Sequence, residues 1–203
     1  MWSCQAAAAI LRKGQPGRLF DKEWLSALRT FKNNSSVVGF MVEQACLSII
    51  SEMGFLHGGS VPATIFKGDL IQSVHLGDQN TFFVPEDPYF KDIDALFLRI
   101  HEPSKMVLVV PFQITINKKH KDSEAAFYSG WARWKALLEG YKVQTCFVWI
   151  TEDDQSWEEL EAESRMTRSG QQEVSPPHMR LRVPVKALHP VLGAELSAIR
   201  RLL

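Results

Sequence analysis

The sequence predicts an α/β protein: a three-layer α/β sandwich around a small mixed sheet, core order αβββαβ, with extra N- and C-terminal helices. Three observations carry this. Residues 37–53 form a long amphipathic helical segment closed by Gly54. Residues 93–100 and 106–116 are apolar, strand-like runs joined by the turn signal Glu102-Pro103-Ser104-Lys105, which predicts a hairpin. Phe127, Trp131, Trp134 and Leu138 then fall at i, i+4, i+7 and i+11, one helical stripe, ahead of a strand at 144–151. That helix supplies the crossover that a parallel pair requires.

The chain has 203 residues, 45% apolar and 23% charged, which suits one domain with room for an appendage. The expected division is an N-terminal helical extension (1–34), a core (35–151), and an acidic helix, loop and closing strand–helix (152–203) that complete the same domain. Lys+Arg and Asp+Glu are both 23, so any nucleic-acid contact must rest on a local patch. Cys4, Cys46 and Cys146 are odd in number and far apart, with neither disulfide density nor metal-ligand spacing. They suggest a reducing, intracellular setting. No run of 18 apolar residues occurs, so no membrane span is expected. In residues 1–20, Arg12, Lys13 and Arg18 follow the short apolar run rather than precede it, unlike a secretory signal. That stretch reads as a first helix or a boundary cut from a longer chain, with a transit peptide as the alternative.

In chain order, 21–32 reads as a short helix with Trp24, Leu25, Leu28 and Phe31 at helical spacing, and Asn33-Asn34-Ser35-Ser36 breaks it and can cap the next. Residues 63–76 are strand-like with a turn at Lys67-Gly68-Asp69, and 77–90 reads as loop because of Gly77-Asp78, Pro85 and Pro88. Pro111 inside the third strand argues for a bulge or a locally unpaired N–H. Helix 122–139, strand 144–151, a solvated acidic helix at 152–163, loop at 165–180, a late strand at 181–185 and a closing helix at 190–202 complete the reading.

Polar residues inside apolar elements mark the candidate site. Glu43 lies three after Phe40 and four before Leu47, on the apolar stripe of its helix, where a carboxylate needs a partner or a metal. Asp94, with Asp92 as fallback, enters the second strand. Gln113 and Thr115 stand two apart in the third strand and so share a face. Lys118, Lys119, His120 and Lys121 follow. Four residues of continued strand span about 13 Å, so a lysine returns to the site only if the chain turns, and Asn117 is a suitable turn residue.

This order, with Gly39-Phe40-Met41-Val42-Glu43, Ile93-Asp94 and Phe112-Gln113-Ile114-Thr115-Ile116-Asn117-Lys118-Lys119-His120, resembles the PD-(D/E)xK (restriction-endonuclease-like) superfamily over about residues 35–151. Within it, the stretch looks like the nuclease-like domain of Crinkler effectors and retrotransposon hot spot proteins. The resemblance implies metal-dependent phosphodiester hydrolysis of DNA or RNA with Mg²⁺ or Mn²⁺. Glu43 would be the helix acid, Asp94 the principal metal ligand, and Gln113 a ligand in the third acidic position. Thr115 stands where the family has lysine, so Lys118 or Lys119 would substitute. Lys118, Lys119, His120 and Lys121 would contact the nucleic-acid backbone. Such domains often follow a P-loop ATPase domain, but no G-x-x-x-x-G-K-[ST] occurs here.

Each residue also has a plain structural reading. Asp94 can cap a loop, Gln113 can be a satisfied buried amide, Glu43 can pair with a base, and Lys118 to Lys121 can be a solvated connection. A nuclease fold without activity, serving as an interaction or nucleic-acid-binding module of an effector-like protein, is therefore the alternative, with segment 152–163 as its contact surface. No nucleophile elbow, dinucleotide fingerprint or zinc spacing points to an unrelated enzyme.

Overall fold

A computed structural model describes residues 22–53, 60–77, 79–87, 90, 93–116, 123–152 and 178–201. Helix α1 (Lys22–Thr30) is followed by α2 (Ser35–Met53). Asn34 caps α2, its Oδ1 accepting from the Val37 N–H at 3.2 Å, the role its sequence position suggests. Strands β1 (Ala63–Phe66), β2 (Gln79–Pro85), β3 (Ala95–His101) and β4 (Met106–Thr115) come next. Helices α3 (Ser123–Ser129) and α4 (Trp131–Leu137) lead to β5 (Lys142–Thr151). Strand β6 (Met179–Pro184) and helices α5 (Val185–Leu188) and α6 (Pro190–Arg200) end the described chain.

The six strands form one mixed sheet in the order β1-β2-β3-β4-β5-β6. β2, β3 and β4 pair antiparallel, while β1–β2, β4–β5 and β5–β6 pair parallel. The β3–β4 hairpin and the parallel β4–β5 pair, crossed over by α3 and α4, match the expected α/β arrangement. The structure corrects the first strands. Residues 63–76 hold only the short β1 and then a 3-10 turn at Ile71–Ser73, and the segment expected to be loop contains β2. The single expected helix at 122–139 is two, parted at Gly130, the residue type least favourable inside a helix after proline. The acidic segment 153–163 lies outside the described residues.

Alternation along the strands explains the layers. Phe97 of β3, Val110, Phe112 and Ile114 of β4, and Val148 and Ile150 of β5 turn to one face, where they pack with α1, α2, α5 and α6. Leu96, Leu98 and Ile100 of β3, Val107 and Val109 of β4, and Phe147 and Trp149 of β5 turn to the other, against Phe127, Tyr128, Trp131 and Trp134 of α3 and α4. The expected tryptophan stripe is therefore core. Helix α1 belongs to the same core through buried Trp24 and Leu28, and Arg29 grips Glu195 of α6 with bonds of 3.0 and 2.6 Å. At Pro111 the β4–β5 ladder skips Val110 and Pro111 but keeps its offset, Val109 facing Thr145 and Phe112 facing Val148. No residue is inserted, so the proline costs a local pairing and not a bulge.

Helices α5 and α6 meet at His189, whose ring nitrogen accepts from the Leu192 N–H at 3.3 Å. Gly193 lies so close to Lys186 that a Cβ there would sit 2.5 Å from the Lys186 Cα. Gly193→Ala is expected to destabilise the fold by about 1–3 kcal/mol, as overpacking does, lowering the urea midpoint with an unchanged slope.

Candidate functional site

The backbone N–H of Asp94 donates to the Phe112 carbonyl at 2.9 Å just before β3, one position off the register in which Ala95 faces Phe112. Asp94 is thereby held beside β4 at the middle of the sheet. One carboxylate oxygen, Oδ2, accepts both the Gln113 Nε2–H at 2.7 Å and the Ile114 backbone N–H at 2.5 Å. Gln113 is 2% exposed, so its amide needs a partner, and its amide nitrogen finds one in Asp94.

From the helix side, Glu43 and Asp94 line one cavity of about 60 Å³. Its polar lining is Glu43, Gln44, Asp87 and Asp94, and its apolar lining is Ile65, Val84, Pro85, Phe90 and Ile93. Gln113 is not part of that lining; it stands behind Asp94. Glu43 takes a 3.4 Å hydrogen bond from Gln44 Nε2. Among the described residues, neither Glu43 nor Asp94 has a cationic partner, so the expected alternative of an ion pair for Glu43 is not what these residues show.

Two carboxyls without a cationic partner among the described residues, in a half-buried site, are both pushed toward the protonated form. Burial, and then the charge of Asp94, push Glu43 up to about 8. Burial likewise pushes Asp94 up to about 7, against the opposing pull of the Ile114 and Gln113 hydrogen bonds. The neighbouring thiol of buried Cys46 is driven up by burial and by both acids, which leaves it inert as a nucleophile. Such a centre favours whatever cation can reach it. Its donors are hard oxygens, the kind Mg²⁺ and Mn²⁺ take. Among the described residues no group of three or more His, Cys, Asp or Glu side chains is arranged to hold a metal, so a cation would also draw on water, as Mg²⁺ usually does.

The structure thus brings together Glu43, Asp94 and Gln113. Thr115 is buried on the Gln113 side of β4, opposite Thr151 of β5. Asp92, Asn117, Lys118, Lys119, His120 and Lys121 lie outside the described residues. Two features escaped the sequence reading. Asp87 and the apolar lining come from segments read as loop or plain strand. The other is Glu124, 7% exposed, on the apolar stripe of α3 three residues before Phe127 and seven before Trp131. The stripe rule that singles out Glu43 finds it equally well.

Glu124 is fully partnered. Its Oε1 accepts from Arg180 Nε at 2.7 Å and meets His178 Nε2 at 2.5 Å, and its Oε2 accepts from Trp149 Nε1 at 3.3 Å. The His178 ring stacks on Tyr128 with centroids 4.2 Å apart. Burial pushes the Glu124 carboxyl up, but the bonds from His178, Arg180 and Trp149 together outweigh it and leave it below its ordinary range.

No protein family, curated protein or solved structure was found to match this chain.

The two acids give opposite pH dependences. Glu43 has a raised carboxyl, so its site is unstrained at low pH and loses stability as pH climbs from the ordinary carboxyl range to about 8. Glu43→Gln should therefore raise stability at pH 8 by at least about 1 kcal/mol, the worth of less than one pKa unit, and leave pH 4 unchanged. Glu124 has a lowered carboxyl, so its contribution is present at neutral pH and fades as pH falls through that lowered value. Glu124→Ala should cost about 3 kcal/mol at pH 7, because it strands Arg180 and His178 beside a buried gap. Denaturant titrations of each variant at pH 4, 7 and 8 check these outcomes.

Proposed function

We propose that this chain is a nuclease-like domain of the PD-(D/E)xK kind, which holds a divalent cation, Mg²⁺ or Mn²⁺, at Glu43 and Asp94 and hydrolyses phosphodiesters of DNA or RNA. The observation that carries this reading is the meeting of an acid from helix α2 and an acid just before β3 around one small cavity, with an amide from β4 bonded to the second acid from behind. Glu43, Asp94 and Gln113 are the residues singled out beforehand by the resemblance, and they come from three separate elements.

The division of labour follows from the contacts. Asp94 presents its Oδ1 to the cavity side of the centre, because Oδ2 is engaged by Gln113 and Ile114. Gln113 favours the ionised form of Asp94 and aims it by donating from its amide nitrogen, and its amide oxygen is a further hard donor in this reading. Glu43 supplies the second carboxylate and can hold or orient a water. A bound divalent cation would activate that water and offset charge on the phosphate. Proton transfer in the lysine position of the family falls to Lys118 or Lys119 in this reading, with His120 and Lys121 as backbone contacts.

A second reading, a nuclease fold that binds without cutting, is favoured by one observation. Thr115 is buried where the family's lysine would stand, and a hydroxyl there carries no charge for the phosphate. A partner protein or an ATPase domain would then be its context.

Purified chain with Mg²⁺ or Mn²⁺ is expected to nick DNA or RNA, and Asp94→Ala to abolish the cut. Cleavage that survives in Asp94→Ala overturns the assignment, and the absence of any cut in either metal supports binding without turnover. Gln113→Met should weaken Mn²⁺ binding about tenfold in calorimetry, because it removes a hydrogen bond to a charged group. Unchanged binding would mean that Gln113 has no part in the centre.

A further inference from the structure

The cavity carries more apolar surface than a cation needs. Among its described lining residues there is no lysine, arginine or histidine. A duplex is gripped mainly through its phosphates, by cationic side chains and backbone N–H groups. Its base faces are stacked on one another, and only base edges show in the grooves. An apolar lining beside an acidic centre has little to offer such a molecule. A single strand differs, because each unstacked base exposes a flat face that packs on aromatic or aliphatic side chains irrespective of sequence.

Two residues fit that task. Ile65 of the edge strand β1 is 58% exposed although it is a large aliphatic. Phe90 is half-buried, and its ring stands edge-on to the buried Phe66, with centroids 5.3 Å apart and planes at 90°. One side chain is open and the other is held in a fixed pose. The volume of about 60 Å³ has room for a few waters, each of which needs about 10–15 Å³ of such space. That is room for a cation and a phosphate oxygen, with the base left at the mouth where Ile65 is exposed.

Resting on the cation reading above, we infer that this cavity takes one unstacked nucleotide of a single strand, its phosphate beside Glu43 and Asp94 and its base against Ile65 and Phe90. The substrate class is therefore single-stranded nucleic acid, or a strand end, in preference to duplex.

Fluorescence anisotropy tests this with labelled oligothymidylate, oligouridylate and a duplex of equal length. The full chain is used in Ca²⁺, a hard cation with the same preference for oxygen. A single strand should bind at least about tenfold tighter than duplex, and the better of the two strands identifies DNA or RNA. Ile65→Ser should weaken single-strand binding about tenfold, within the loss that one base contact gives. Since Ile65 is a surface position, the variant should fold, and its Ca²⁺ binding in calorimetry should be unchanged. Phe90→Leu should weaken strand binding likewise. Duplex binding as tight as single-strand binding, or strand binding indifferent to both substitutions, overturns the inference. If calcium still binds in that case, the cation reading stands alone. Single-strand binding that persists in EDTA and still depends on Ile65 supports the base contact and removes the cation from it.

Discussion

Strand β4 is buried on both faces over nearly its whole length, and this constraint governs the rest. A polar side chain in such a strand must find its partner within the sheet. Gln113 does so across the β3–β4 pair, in Asp94. The contact also ties the two strands together where the chain enters β3, Asp94 taking both the Gln113 amide and the Ile114 backbone N–H. The hairpin is pinned at its other end by Lys105, which adopts the left-handed conformation with φ 47° after the 3-10 turn at Glu102–Ser104. Between these two points the strands have one way to align. Asp94 is thus held at the rim of the cavity by the needs of the core as much as by any chemistry.

Two half-hidden acids in one domain show what partners decide. Glu124 and Glu43 each occupy a stripe position on a helix that packs against the sheet. Glu124 meets Arg180, His178 and Trp149 from the strands below it, and burial is more than offset. Glu43 meets another carboxyl, and the one bond from Gln44 does not offset burial. A protein with no use for the second arrangement would gain stability by filling it with an aliphatic side chain, because an unpaired buried acid is among the costlier things a core can hold. Retained strain of this kind is a reason to look for a ligand. The small volume and the oxygen donors point to a cation as the simplest one.

Elements with long, consistent patterning were legible in the sequence. Helix α2, the β3–β4 hairpin and the crossover into β5 each combine a hydrophobic period with a turn or cap residue at the right place. Strand β2 was hidden because Gly77, Asp78, Pro85 and Pro88 crowd its ends, and punctuation of that density reads as loop even when Thr81, Phe82, Phe83 and Val84 lie between. Gly130 divided a helix whose stripe runs through it unbroken, so periodicity gave no warning. At the site, Glu43, Asp94 and Gln113 were legible singly, as polar residues in apolar elements. That Gln113 turns its amide nitrogen to Asp94 and stands behind the cavity lining depends on register, which periodicity does not supply. The apolar lining was illegible for a further reason: Ile65, Val84 and Phe90 are ordinary hydrophobic residues until three segments converge.

The pair Gln113 and Thr115 can be weighed as a unit. Relative to the acid and lysine that the resembled pattern carries there, the strand lacks one negative and one positive charge, so its net charge is the same. What changes is the cost of burying it. A carboxylate and an ammonium on a strand hidden on both faces would each need full compensation, whereas an amide and a hydroxyl need only hydrogen bonds. The amide also does something a carboxylate could not, since it donates to Asp94 and so favours the ionised form of an acid that lines the cavity. The exchange lowers the charge available to a metal and raises the order of the ligand that remains. In the proposed reading such a site would hold a cation with a few well-fixed oxygens and draw the rest of its substrate affinity from elsewhere, which is the part the apolar lining beside Asp94 would supply.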